Sequence, residues 1–223
     1  MQRILEPELM DKNEQALAYA QADFESAHSA YPKLFAAEFP TPPVTAAVLD
    51  LGCGPADVTM RFARAFPNFR FHALDGSTAM LKYARLALQR NLDIASRIQL
   101  IEGLLPHVIL PQENYGVILS SSVLHHLHDP QVLWQSVRRF GKKGTLVFVA
   151  DLFRPESREA AEALVEQYSR NEPDILRRDF LNSLLAAFTP EEVQAQLAAA
   201  KLESLKIKAI SDRHLIVVGA LGG

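Results

Sequence analysis

The chain has 223 residues, 48% of them apolar and 22% charged, with 23 basic against 26 acidic side chains and a formal net charge of −3. That balance excludes intrinsic disorder, collagen-like repeats and the clustered excess of Lys and Arg that a broad nucleic-acid footprint needs. The single cysteine, Cys53, excludes an internal disulfide and a cysteine-rich zinc site.

In chain order, Glu6, Glu8 and Asp11 break up the amino end, which has no apolar run resembling a secretory leader. No stretch of about 18 apolar residues follows anywhere, so the expectation is a soluble, cytoplasmic protein without membrane insertion, as monomer or homodimer. Asp11 reads as a helix cap with Glu14 three positions on, and Leu17, Ala20, Phe24, Ala27 and Tyr31 recur at helical spacing. Pro32 interrupts that face, and Pro40, Pro42 and Pro43 form a turn-rich linker.

Residues 46–51 are a short apolar run ending in Gly52-Cys53-Gly54-Pro55, the pattern of a buried parallel strand. Pro55 suits the first turn of the next helix, whose apolar stripe is Val58, Phe62 and Phe66. The cycle repeats with strands over 69–74, 98–101, 117–119 and 144–150. Between them lie a helix capped by Ser77 and another starting at Asp129-Pro130 and carrying Leu133, Val137 and Phe140. Such alternation predicts an α/β fold with a doubly wound, parallel sheet.

After 151 the sequence is mainly helical to about 202, with a strong helix start at Thr189-Pro190-Glu191-Glu192. Two strands close the chain. Leu205, Ile207 and Ala209 alternate with Lys206 and Lys208 as on an exposed edge, and 215–218 is apolar throughout. The expected division is 1–43 as an N-terminal helical lid and linker, 44–150 as a ligand-binding core, 151–202 as a helical lid and 203–223 as the last two of seven strands.

In an open α/β sheet ligands bind beyond the carboxyl ends of the strands, where strand order reverses. Gly52 and Gly54 would let a ligand approach the backbone there, although any tight strand-to-helix turn also uses glycine. A dinucleotide fingerprint would need glycine at 57, and Asp57 would repel a pyrophosphate. Asp50 at the tip of the first strand attracts a cationic amine, and Asp75 at the tip of the second accepts from both ribose hydroxyls. A ligand with a ribose, a positive amine and no phosphate fits, and S-adenosylmethionine (SAM) is such a ligand.

The run 48–55, the run 75–81, Ile101-Glu102-Gly103 and the stretch 118–127 together resemble class I SAM-dependent methyltransferases of the small-molecule branch. The resemblance covers about 44–150 and implies a Rossmann-like, seven-stranded, mostly parallel sheet with appended lid helices. It implies that Asp50, Gly52, Cys53 and Gly54 surround the methionine portion of SAM, that Asp75 and Gly76 meet the ribose, and that Met80 packs on the adenine. Glu102, Gly103 and Leu104 would flank the adenine, and Ser120 and Ser121 would lie beneath the sulfonium. Ala56 replaces a third glycine, and Leu104 stands where many members have an acidic residue.

His125-His126-Leu127-His128-Asp129 invites a metal reading, against which stand the poor convergence of adjacent residues and the lack of a distant cluster. The resemblance places one histidine after the fourth strand, so His125 and His126 are the catalytic candidates, orienting the acceptor or taking its proton. A structural hydrogen bond is the plain alternative. Substrate candidates from the helical segments are Tyr19, Tyr31, Arg154, Tyr168 and Asn182, with Asp151, Arg177 and Arg178 beside them. Trp134 reads as packing. The expected activity is methyl transfer to a small-molecule acceptor; the rivals are a SAM-binding protein without transferase activity, a methyltransferase acting on RNA or protein, and a nicotinamide oxidoreductase.

Overall fold

The apolar runs predicted as strands pair in one sheet. A computed structural model describes residues 1–222, in which β1 (Ala46–Leu51), β2 (Phe69–Asp75), β3 (Ile98–Glu102), β4 (Val117–Ser121), β5 (Leu146–Leu152), β6 (Lys206–Ala209) and β7 (His214–Ala220) stand in the order β3-β2-β1-β4-β5-β7-β6. The first five are parallel, and β7 runs antiparallel between β5 and β6. The fold is therefore the expected seven-stranded, mostly parallel one. Chain order reverses between β1 and β4, which sets a ligand crevice at their carboxyl ends.

The helices are α1 (Asn13–Gln21), α2 (Glu25–His28), α3 (Ala30–Glu38), α4 (Asp57–Ala65), α5 (Thr78–Gln89), α6 (Leu92–Ala95), α7 (Gln131–Phe140), α8 (Arg158–Ser169), α9 (Asp174–Ala186) and α10 (Pro190–Ala199). Alternate residues of each strand point to opposite faces, so the sheet has two cores. Leu49, Ile118 and Val147 pack with Trp134 and Val137 of α7 and Leu197 of α10 on one side. Val48, Phe71 and Phe148 pack with Phe62 of α4 and Leu81 of α5 on the other. Buried Trp134 donates to Gln196 Oε1 at 3.0 Å, locking α7 to α10. Thr189 and Glu192 exchange the predicted pair of capping bonds at the head of α10.

Several local expectations shift. Lys12 rather than Asp11 precedes α1, and Asp11 instead accepts from the Ser77 hydroxyl at 3.2 Å. The single apolar face read from Leu17 to Tyr31 is divided among three helices. Pro32 does not interrupt a helix but stands in the first turn of α3, where its missing N–H would have no helical partner. Helix α4 starts at Asp57, two residues after Pro55, because Ala56 takes a left-handed φ of 66°. Strand β5 continues to Leu152, which carries Asp151 into the sheet instead of the lid.

The first 43 residues, expected as a lid and linker, also supply part of the core. Tyr31 and Phe35 of α3 are buried, and the Phe35 ring lies 5.6 Å from Phe62, 5.2 Å from Phe66 and 6.1 Å from Phe148. Truncating such a side chain costs about 3–5 kcal/mol. Phe35→Ala should lower unfolding free energy in urea by that amount. A loss below about 1 kcal/mol would show that α3 rests on the sheet without contributing to its core.

Candidate active site

The site grows from the end of β1. Gly52 and Gly54 adopt left-handed φ values of 76° and 54°. A Cβ on Gly52 would meet Val123 Cγ2 at 2.2 Å, whereas one on Gly54 would meet nothing within 4 Å, so the turn presents bare backbone to open space. The amides of Gly52 and Cys53 both donate to the Leu74 carbonyl, at 2.8 and 2.9 Å. At the tip of β2, Asp75 accepts from the Gly54 amide through Oδ2 and from the Ser77 amide through Oδ1, both at 2.7 Å. Burial raises its pKa against these amide bonds.

Asp50 is buried behind this turn. Thr59 donates to its Oδ2 at 2.5 Å, while Oδ1 has no partner. Burial, opposed by Thr59 and assisted by Asp75, pushes the Asp50 carboxyl up to about 6. An ionisable oxygen left without a donor inside the protein calls for a cation or donor from outside.

The turn opens on a cavity of about 900 Å³. Its core wall includes Gly52, Cys53, Gly54, Asp75, Gly76, Met80, Gly103, Leu104 and Ser121, so nine of the residues expected around SAM converge there. Asp50, Ser120 and Glu102 do not line it. Ser120 points back to the sheet and donates to the Leu51 carbonyl at 2.8 Å, and half-exposed Glu102 accepts from Thr78 at 2.8 Å. The Cys53 thiol is pushed well up by burial and by Asp75 and Asp50, so it is no nucleophile.

The far end of the cavity is lined by Tyr19, Tyr31, Ser122, His125, His126, Tyr168, Ser183 and His214. His125 is 3% exposed and pairs through Nδ1 with Asp151 Oδ1 at 2.5 Å. Asp151 also accepts from the amides of Val123, Leu124 and Leu152 at 3.0, 2.8 and 2.8 Å; burial would raise its pKa, but His125, followed by the Leu124 amide, lowers it. Burial pushes His125 down, but Asp151 and Glu6 push it up further, and the net shift is upward. Burial beside His125 lowers His126 to about 3. The Tyr19 phenol rises to about 12 through burial, against a hydrogen bond from Ser122.

Two substrate candidates lie elsewhere. The Arg154 guanidinium is taken up by the Ala187 carbonyl at 2.7 Å and Glu192 at 2.6 Å, joining β5 to the head of α10, and Asn182 sits on the exposed side of α9. Tyr168 reaches the rim, where its hydroxyl donates to Asp212 at 2.7 Å and its ring lies 3.3 Å from the Arg213 guanidinium. Asp151, grouped with the lid residues in the sequence, is the partner of His125. Ser122 and His214 also line the cavity and Glu6 stands against the two histidines, roles beyond those expected from sequence. Only Ser122 had a local signal, its place directly after Ser120-Ser121.

Residues 48–144 match the family model of a methyltransferase domain. Over 108 residues the chain is 32% identical to the ubiquinone biosynthesis O-methyltransferase of Caulobacter vibrioides, covering 48% of this chain and 41% of that one. The chain spans about two-fifths of the length of the curated relatives it matches, at 41, 34 and 38%. A SAM-dependent methyltransferase of Aquifex aeolicus superposes with a TM-score of 0.67 at 15% identity, over 94% of this chain and 98% of that one. Human N-acetylserotonin methyltransferase, solved with SAM, gives 0.66 at 18% identity over 95% and 57%. These structures share the fold. Residues 48–144 thus match a methyltransferase domain, the fold is that of solved SAM-dependent methyltransferases, and SAM is the cofactor such a domain takes.

The residues present fit that cofactor. Asp75 keeps lone pairs for ribose hydroxyls, Met80 and Leu104 offer an apolar wall, and the free oxygen of buried Asp50, behind the turn, suits the ammonium through a bridging water. Since the Asp50 carboxyl sits near 6, it is neutral below that pH and cannot hold a cation. SAM affinity should therefore fall as pH drops from about 7 to about 5, by up to about tenfold per unit. That window lies below the ordinary α-amino range of about 7.7–8.0, so the ligand's own amine stays charged. Burial raises Asp75 in the same direction. Titration calorimetry across this range checks it: Asp50→Asn should bind more weakly at pH 7 and lose most of the slope.

Proposed function

We propose that the protein transfers the methyl group of SAM to a small-molecule acceptor, with oxygen as the acceptor atom. The observation that carries this reading is one continuous cavity, from the Gly52–Gly54 turn and Asp75 to Tyr19, His125 and Ser183 beneath α1 and α9. Its volume of about 900 Å³ is near the top of the roughly 300–1,000 Å³ usual for small-ligand sites, which leaves room for the cofactor and a second small ligand. The O-methyltransferase names of the curated relatives support oxygen as the acceptor atom.

Bound SAM supplies a methyl group on a sulfonium, an activated leaving group, so the protein's part is alignment and exclusion of water. The Gly52–Gly54 backbone and Asp75 fix one end of the reacting pair. At the other end, Asp151 on Nδ1 directs Nε2 of His125 away from the sheet, and His126, with its pKa near 3, offers a neutral imidazole beside it. We assign His125 and His126 the positioning of the acceptor. Tyr19, whose phenol stays protonated, donates or accepts a hydrogen bond there.

Calorimetry with SAM, S-adenosylhomocysteine and NAD should give binding of the first two only. Asp75→Ala removes two charge-assisted ribose contacts worth roughly 1.5–3 kcal/mol and should weaken SAM binding about tenfold to a hundredfold. Incubated with methyl-labelled SAM and a cell extract, the protein should place label in the small-molecule fraction. Label confined to protein or RNA, or binding of NAD instead of SAM, would overturn the reading.

A further inference from the structure

The segment before α1 carries no helix or strand and runs from the turn after β4 to Ser77, with Glu8, Leu9 and Met10 lining the cavity. It is tied down by Ile4, whose amide donates to the Leu185 carbonyl at 3.0 Å, and by Arg3, whose guanidinium donates to the carbonyls of Ala186, His125 and Leu127 at 2.5, 2.8 and 2.9 Å. The Ser77 hydroxyl holds its other end by donating to the Met10 carbonyl at 2.9 Å. Between these anchors Glu6, with a side chain 9% exposed, is brought to the turn after β4.

Glu6 Oε1 is buried and has no hydrogen-bond partner. It lies 3.6 Å from His125 Nε2 and 3.3 Å from His126 Nδ1, outside the roughly 2.7–3.2 Å of an N–H···O bond. All three atoms lie within 4.8 Å of one another, the one such group among the described residues. Ligand atoms held at about 2.0–2.2 Å in a tetrahedral site stand about 3.3–3.5 Å apart. The two contacts of the Glu6 carboxylate are thus close to the spacing of coordination and too long for hydrogen bonding.

The surroundings agree. Asp151 on the opposite nitrogen of His125 reproduces the carboxylate that orients a metal-bound imidazole, and three backbone amides fix Asp151 in turn. The carboxylates of Asp151 and Glu6 flank the two rings, while the Arg3 guanidinium is turned to backbone carbonyls. Ligation takes from His126 Nδ1 only a long 3.3 Å contact with the Pro7 carbonyl. The metal reading of the histidine run lacked a distant partner in the sequence, and the folded strap supplies one.

We propose that Glu6 Oε1, His125 Nε2 and His126 Nδ1 bind a divalent transition-metal ion of the zinc class, with a fourth position open to the cavity that both histidines line. Two imidazoles and one carboxylate select Zn²⁺ or Co²⁺ over Mg²⁺ and Ca²⁺, which take oxygen ligands. The ion pins the strap to the core. Resting on the methyl-transfer reading, its open position would take the acceptor oxygen with its O–H proton released to water on binding, so the imidazoles position the acceptor through the ion rather than as bases.

The test uses the untagged full chain, freed of metal with a chelator and titrated with Co²⁺ while visible absorption is followed, then with Zn²⁺ by calorimetry. One equivalent should bind, with the intense visible bands of tetrahedral Co²⁺. Glu6→Gln and His126→Ala should each lose the bands or weaken binding at least tenfold. Asp151→Asn should weaken it about tenfold to a hundredfold. Circular dichroism verifies folding of each variant, and should Glu6→Gln not fold, His126→Ala carries the test. No stoichiometric binding, or equal affinity in Glu6→Gln and His126→Ala, would overturn the site. SAM binding by the metal-free protein is measured alongside, so failure of the metal site is separable from failure of the cofactor reading.

Discussion

The carboxylate of Asp75 holds two turns at once, taking the Gly54 amide on one oxygen and the Ser77 amide on the other. Through the first bond it fixes the glycine turn after β1, and through the second the start of α5. Met80 of α5 and Gly103 beside it therefore stand at set distances from Gly52. The Gly103 amide, donating to the Asp75 carbonyl at 3.0 Å, ties the end of β3 to the same residue. Burial raises the pKa of both strand-tip carboxylates, and Asp50 keeps an oxygen with no protein donor. That arrangement costs the folded chain stability in the absence of ligand, a common feature of preorganised sites.

Enclosure comes from both ends of the chain. The strap and α1 come from the amino end and α8 and α9 from the segment after β5, and each contributes to the cavity lining. Helix α1 also meets α9 directly, with Gln15 donating to Asp179 at 2.8 Å. At the mouth, Asp57 accepts from His28 at 2.8 Å and Arg61 at 2.9 Å, which joins α2 to α4. A methyl donor and acceptor placed under such a cover are shielded from water, the condition that an in-line displacement needs.

What was legible in the sequence was local. Strands 46–51 and 69–74, the glycine turn, and the caps at Ser77 and Thr189 depend on residues a few positions apart, and the structure has each of them. Adjacent pairs such as Asp50 with Gly52 also carry their chemistry within a short window. Contacts across the fold were not legible. An acidic residue after an apolar run, as at Asp151, looks like a strand end, yet β5 continues one residue beyond it. Residue type alone points to Arg154 and Asn182, and type does not say that one guanidinium is already paired inside the protein or that one amide faces solvent. Glu6 had no signal at all, since its meaning depends on a strap folding back to a turn from the middle of the chain.

The central claim is that the two strand-tip carboxylates bind the ribose and the ammonium of the cofactor. A crystal structure with S-adenosylhomocysteine tests it most directly. Both ribose hydroxyls should lie within about 2.7–3.2 Å of Asp75, with the ammonium nearest to Asp50 and joined to it through one ordered water. A ligand seated away from the Gly52–Gly54 turn, or a ribose that leaves Asp75 without a contact, would contradict the account.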